Sequence, residues 1–319
     1  MEAKYKMKRI YSILCMILFC LISLCFSLAA QEKAETLEKI FSIDGSQPVF
    51  LEFKDVDGNL KFSGSEVNLV QVKVKKEVDT RDLKRAGRLL RETEIEFSQN
   101  GNSISIEVKY PKIRGVFFWF RDYERVKVST EIVLPLKSNL HCTLVDGSVS
   151  GEKVQGEMNL KTVDGTIRLT DAEGTIQAKT VDGRIILKNI KGKVDAATTD
   201  GDITFSGRIK ALSLETTDGD ITAEIAPQSQ MEADWLVKTT DGDVDFYTAP
   251  DFSADFLLQT DDGHIDCHLP LTFTETISEK KLSGKIGQGG YLLKIKTGGG
   301  TISLGKLFSP EFPSAVSHE

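Results

Sequence analysis

The chain has 319 residues, 40 Lys plus Arg against 47 Asp plus Glu, a formal net charge of −7, and 40% hydrophobic residues. That is enough apolar material for a large core. The acidic balance argues against nucleic acid as a partner.

Residues 1–30 read as a targeting segment. Lys4, Lys6, Lys8 and Arg9 form a basic start, and an apolar run follows from Ile10 to Ala30. Ser27-Leu28-Ala29 supplies the small residues of a signal-peptide cleavage site. The run is also long enough to serve as an uncleaved anchor. Removing this segment, which carries four basic residues and Glu2, would leave −10. Either way the expected location is outside the cytoplasm, in the periplasm or at the surface of a bacterial envelope.

Residues 31–140 predict a β-rich capping section. Phe50 to Phe53, Leu60 to Val74, Ile95 to Phe97, Ile104 to Tyr110 and Val126 to Leu134 read as strands, and Thr80 to Arg91 as one short basic helix. Asp57-Gly58-Asn59-Leu60 is an isolated early echo of the motif that dominates the next section.

Between Asp146 and Gly219 an Asp-Gly pair recurs every 18 residues. The pairs are Asp146-Gly147, Asp164-Gly165, Asp182-Gly183, Asp200-Gly201 and Asp218-Gly219, followed at stretched spacing by Asp241-Gly242 and Asp262-Gly263. A fixed period of this length means one unit stacked on copies of itself. Gly156, Gly174 and Gly192 fall halfway between, so each period is two short strands joined by corners. Apolar residues alternate as strands require: Ile176, Ala178 and Thr180 before a corner, Ile185 and Leu187 after it, with equivalents in every copy. Like side chains one period apart would stack at roughly 4.8 Å. The expected fold is therefore all-β: a parallel β-solenoid of about 18 residues per coil over residues 141–270, right-handed by the general tendency of parallel connections. Further strands over 271–306 would cap it, ahead of a loose tail at 307–319.

The aspartates admit two readings. Structurally, glycine turns the corner, aspartate caps it, and the threonines at 162, 180, 198, 216, 239 and 260 bond along the stack. Functionally, stacked carboxylates could hold calcium, although the calcium-binding nonapeptide pattern has Gly-Gly-x-Gly before its aspartate and this chain does not. No other cofactor is expected.

Three further features invite a functional reading. Phe117, Phe118, Trp119 and Phe120 sit between Arg114 and Arg121, and four consecutive aromatics in a loop either fold over the first coil as a lid or form a sticky partner- or membrane-binding tip. His264, Asp266 and His268 alternate on one strand face as candidate metal ligands, and Asp243 and Asp245 of the preceding coil would lie beside them and could add to the set. Cys142 and Cys267, in the first and last coils, would stand about 29 Å apart, so both should be buried free thiols rather than a disulfide. Charge is uneven as well. Residues 241–266 hold eight aspartates and no Lys or Arg, while residues 73–127 hold 14 basic residues against nine acidic ones.

Taken together, the T-[VT]-D-G-x-[IV] repeats, the leader and the short helix resemble the bacterial β-strand-repeat family of unknown function classed as adhesin domains. That resemblance covers nearly all of residues 40–306. It implies an envelope or surface protein with a repetitive β fold and supplies no catalytic residues. Its expected role is non-catalytic binding or scaffolding, with an envelope glycan or a protein as partner. The rivals are a β-helix enzyme acting on envelope polysaccharide, which would need an asymmetric acidic cleft, and a regulatory partner in envelope-stress signalling.

Overall fold

A computed structural model describes residues 33–111, 126–269 and 272–307. The apolar run at 10–30, the aromatic segment 117–120 and residues 308–319 lie outside these.

The amino-terminal third contains β1 (Ala34–Ser42), β2 (Val49–Lys54), β3 (Gly58–Ser65), β4 (Leu69–Val78), helix α1 (Leu83–Glu92), β5 (Glu94–Asn100), β6 (Ser103–Lys109) and β7 (Val126–Pro135). The middle supplies β8 (Ser138–Thr143), β9 (Val149–Glu152), β10 (Gln155–Lys161), β11 (Ile167–Thr170), β12 (Glu173–Lys179), β13 (Ile185–Ala197) and β14 (Ile203–Glu215). After these come β15 (Ile221–Ile225), β16 (Trp235–Lys238), β17 (Val244–Thr248), β18 (Ala254–Thr260) and β19 (Ile265–Cys267). The last four are β20 (Thr272–Ser278), β21 (Lys281–Ile286), β22 (Leu292–Thr297) and β23 (Ile302–Lys306). The described protein is thus all-β with one helix.

Pairing runs in two series that share the long strands β13 and β14. One reads β5-β6-β2-β8-β10-β12-β13-β14-β16-β22-β18-β21-β20. The other reads β1-β4-β7-β3-β9-β11-β13-β14-β15-β17-β23-β19. Pairs are parallel along the body and antiparallel at the ends, where β5, β4, β1, β21 and β20 close the stack. In the regular part the register is the sequence period itself: Gln155 lies opposite Glu173 and Ile167 opposite Ile185.

Between the two series lies one dry core. The alternating residues of the repeat fill it, with Ile167, Leu169, Ile176, Ala178, Ile185, Leu187, Ile203 and Phe205 all at 0% exposure. Trp235 and the phenylalanines 53, 62, 205, 246 and 256 are its largest buried side chains.

Residues 31–140 pair with the first repeats: β2 pairs in parallel with β8 and β3 with β9, and the echo corner at Asp57 bridges to Asp146. One expectation about order along the stack is corrected: the Asp262 coil does not follow the Asp241 coil. Strands β22 and β23, expected as part of a carboxy-terminal cap, are inserted between them: β22 lies between β16 and β18, and β23 between β17 and β19. The chain reaches that slot by a tight turn around the start of β18. There a Cβ on Gly287 would lie 2.3 Å from Ser253 Oγ, and one on Gly289 2.6 Å from Asp255 Oδ1.

The expected helix is present as α1, capped by Asp82, whose carboxylate accepts the Lys84 and Arg85 N–H groups at 3.0 and 3.2 Å. It buries Ala86 and Leu90 and packs on β4. Its last turn is held by Lys76, 4% exposed, whose ammonium donates to Leu90 O at 2.8 Å and Thr93 O at 3.0 Å and pairs with Glu35 at 2.7 Å. A buried ammonium is tolerable because its donors are satisfied by carbonyls at a helix carboxy terminus and by a carboxylate.

Candidate functional site

The corners of the Asp-Gly series form a regular surface built by close approach of main chain to main chain. A Cβ on Gly165 would lie 2.1 Å from Gly147 O, one on Gly183 2.0 Å from Gly165 O, and one on Gly219 2.2 Å from Gly201 O. Glycine is required here for room, since successive corners sit too near for a side chain. At the opposite corners non-glycine residues take the left-handed conformation, Lys153, Asp171 and Asn189 with φ of 57°, 54° and 52°.

The threonine column does what its spacing suggests. Thr162 Oγ1 donates toward Gly147 O at 2.9 Å and Val145 O at 3.2 Å in the preceding coil. Thr180, Thr198, Thr216 and Thr239 repeat the contact to Gly165, Gly183, Gly201 and Gly219 at 3.0 to 3.3 Å. Around the inserted coil, Thr297 reaches Gly242 O at 2.8 Å and Thr260 reaches Gly300 O at 3.1 Å. The corner is therefore tied by threonine. At Asp164 and Asp182 it is the main-chain N–H that donates, to Val145 O and Val163 O, each at 2.9 Å.

The aspartate carboxylates at 164, 182, 200, 218, 241 and 262 are exposed. Asp164 has its carboxyl raised above the usual value, first by desolvation and then by Asp182 and Asp146 on either side. Beside this column runs a second exposed one, Val56, Val145, Val163 and Val181, 39 to 52% exposed, on four successive corners. Apolar and acidic ridges thus lie side by side.

Two residues further on, the aspartates have structural partners. Asp202 Oδ1 accepts the Asp220 N–H at 3.2 Å, Asp220 Oδ1 accepts the Asp243 N–H at 2.8 Å, and Asp243 Oδ1 accepts the Thr301 N–H at 2.7 Å. Arg184 also pairs with Asp202 at 3.3 Å.

His264 and Asp266 meet at 3.5 Å. Asp243 and Asp245 are not beside them as expected, because β23 intervenes and Asp266 faces Ser303. No group of three or more potential ligands is assembled among the described residues. Cys142 and Cys267 are both free, but only Cys142 is buried. The expectation of two buried thiols fails at Cys267 because β19, at the end of its series, pairs among the described residues with β23 alone. Ile265 is half-exposed for the same reason.

One residue escaped the sequence reading. Asp55 occupies, in the Asp57-Gly58 corner, the position that threonine holds in later coils, and it is 4% exposed. The alignment of Asp55-Val56-Asp57-Gly58 with Thr162-Val163-Asp164-Gly165 carried that signal. Tyr110, at the end of β6, places its hydroxyl 2.7 Å from Asp55 Oδ1.

Stacked corners, a single dry core and antiparallel end strands define a β-repeat protein. The chain belongs to the Toastrack DUF4097 family, whose profile matches residues 50–305. No match was found among curated proteins. Solved structures that resemble it include a "putative lipid binding protein" of Parabacteroides distasonis, 14% identical, covering 85% of this chain and 96% of that one with a TM-score of 0.45. A "putative adhesin" of Bacteroides fragilis is 11% identical, covering 85% and 97% with a TM-score of 0.40. A "putative cell adhesion protein" of Clostridium sporogenes is 14% identical, covering 86% and 100% with a TM-score of 0.29.

Proposed function

We propose that the chain is an exported, non-enzymatic β-solenoid of 18-residue coils that binds an extended partner, a glycan or a protein strand, at the bacterial cell envelope. The observation that carries this reading is the double ridge: exposed Val56, Val145, Val163 and Val181 on successive corners, flanked at the same spacing by Asp57 and Asp146, which are half-buried, and by Asp164 and Asp182, which are exposed. A partner with its own extended repeat could match such a ridge over several coils, a use to which solenoid surfaces are suited. Exposed aligned valines are otherwise a solubility liability. The basic leader and apolar run at residues 1–30 support export.

The test is co-sedimentation of residues 31–319 with separated cell-wall sacculi, lipid vesicles and outer-membrane material, each with and without EDTA. The reading expects binding to one fraction, reduced at least tenfold by the double change Val163→Asp and Val181→Asp. Loss of binding in EDTA would bring calcium into the same surface. Binding to no fraction, or equal binding by the variant, overturns the ridge as the binding surface.

A further inference from the structure

Asp55 stands apart from the exposed acidic columns. In the other corners its position holds Leu144 or a threonine, all buried. Its Oδ1 accepts the Asp57 N–H at 3.2 Å and lies 2.7 Å from the Tyr110 hydroxyl, while Oδ2 is buried with no partner among the described residues. The same hydroxyl lies 2.6 Å from Asp57 O. Tyr110 therefore stands between two acceptors with one proton to donate. A proton on Asp55 resolves the conflict: Asp55 donates to the tyrosine oxygen, and the tyrosine donates to Asp57 O.

Among the described residues, the titratable groups facing Asp55 are Tyr110 from the end of β6 and Asp57 on its own corner. From the neighbouring strands come main-chain groups: Thr143 O accepts the Asp55 N–H at 3.1 Å, and Val128 of β7 lies opposite Gly58. Lys54, the adjacent residue, is engaged by Glu52 at 2.7 Å. Among the described residues no basic group forms an ion pair with Asp55.

We propose that Asp55 and Tyr110 form an acid-tightened clasp at the amino-terminal end of the stack, closed by a neutral Asp55 and loosened when Asp55 ionises. Ionisation leaves one acceptor without a proton and places charge on an oxygen that has no partner in a dry interior. This clasp is independent of what binds the valine ridge.

Burial outweighs the Tyr110 and main-chain hydrogen bonds, which on their own favour the ionised form, and pushes the Asp55 carboxyl from 3.8 up to about 6. Tyr110 is raised as well, by burial and then by the Asp55 charge. Because the folded value lies above the unfolded one, folding takes up a proton. The clasp is strongest in acid, weakens as pH rises from roughly 4 to 6, and changes no further above that.

The test uses the full chain in a mild detergent. Hydrogen exchange at the Asp57 amide, corrected for intrinsic rates, should show protection roughly twentyfold greater at pH 4.5 than at pH 7. Asp55→Asn and Asp55→Thr should remove that difference. Carbon-13 titration of the wild-type Asp55 carboxyl should give a midpoint near 6, and this readout decides the matter alone if the variants fail to fold. A midpoint near the usual 3.8, or the same pH trend in wild type and variants, overturns the clasp.

Discussion

Gly183→Ala tests the architecture of the corners most directly. The new methyl would lie 2.0 Å from Gly165 O and 3.1 Å from Thr180 Oγ1. An ordinary carbon contact is about 3.5 Å, so the two corners must separate by more than an ångström. Three donors reach across that gap to Val163 O and Gly165 O: the Val181 and Asp182 N–H groups, at 3.1 and 2.9 Å from Val163 O, and Thr180 Oγ1, whose one proton is shared between Val163 O at 3.0 Å and Gly165 O at 3.3 Å. At about 1 kcal/mol each, the loss comes to about 3 kcal/mol. With a urea slope of about 3 kcal/mol/M for a chain of this size, the midpoint falls by about 1 M. Gly101→Ala is the control. Gly101 has φ of 60° and nothing within 4 Å of a new Cβ, so its cost is the left-handed conformation alone, about 1 to 2 kcal/mol. If Gly183→Ala costs no more than Gly101→Ala in urea unfolding, close approach is not what demands glycine in the corners.

Other outcomes follow from particular contacts. Lys76→Met removes the ammonium that holds Leu90 O, Thr93 O and Glu35; it should cost about 2 to 4 kcal/mol and speed hydrogen exchange in the last turn of α1. Thr297-Gly298-Gly299-Gly300-Thr301-Ile302 is the repeat motif without its aspartate, and Gly299→Asp would restore it in the inserted coil, with its Cβ 2.9 Å from Asp241 Oδ1. It should cost about 1 kcal/mol or more, and high salt should recover part of that; a salt-independent loss would point to sterics alone. Cys142 is fully buried and its thiol is pushed up to about 12 by desolvation. In the native protein at pH 8 it should resist a thiol reagent that labels the half-buried Cys267, and faster labelling of Cys142 would contradict the placement of β8 in the core.

The repeat was legible because each unit states its own corner, its own alternation and its own spacing. Thr162-Val163-Asp164-Gly165-Thr166-Ile167 names the tie, the exposed residue, the close approach and the first core residue in order, and every later copy says the same. The site candidates were less legible. His264 and Asp266 lie on one strand as read, yet their inferred neighbours Asp243 and Asp245 belong to a coil that β23 separates from them. Asp55 looked like one acid among many, because burial of a carboxyl depends on which strand end folds across it, here that of β6 carrying Tyr110.

By itself the sequence determined the alternation of buried and exposed residues, the columns that fill the core and the need for glycine at each corner, since an 18-residue period aligns like with like wherever consecutive coils stack. Tertiary structure alone decided the order of coils at the two ends. The motif at Gly298-Gly299-Gly300 can pair with any Asp-Gly corner, because corner-to-corner hydrogen bonds are made by main chain and are nearly the same for every copy. What selects the slot between the Asp241 and Asp262 coils is the glycine turn around β18, the absence of a third aspartate between two others, and the antiparallel pairing of β21 on the far side of β18. Those are long-range contacts, and no local pattern encodes them.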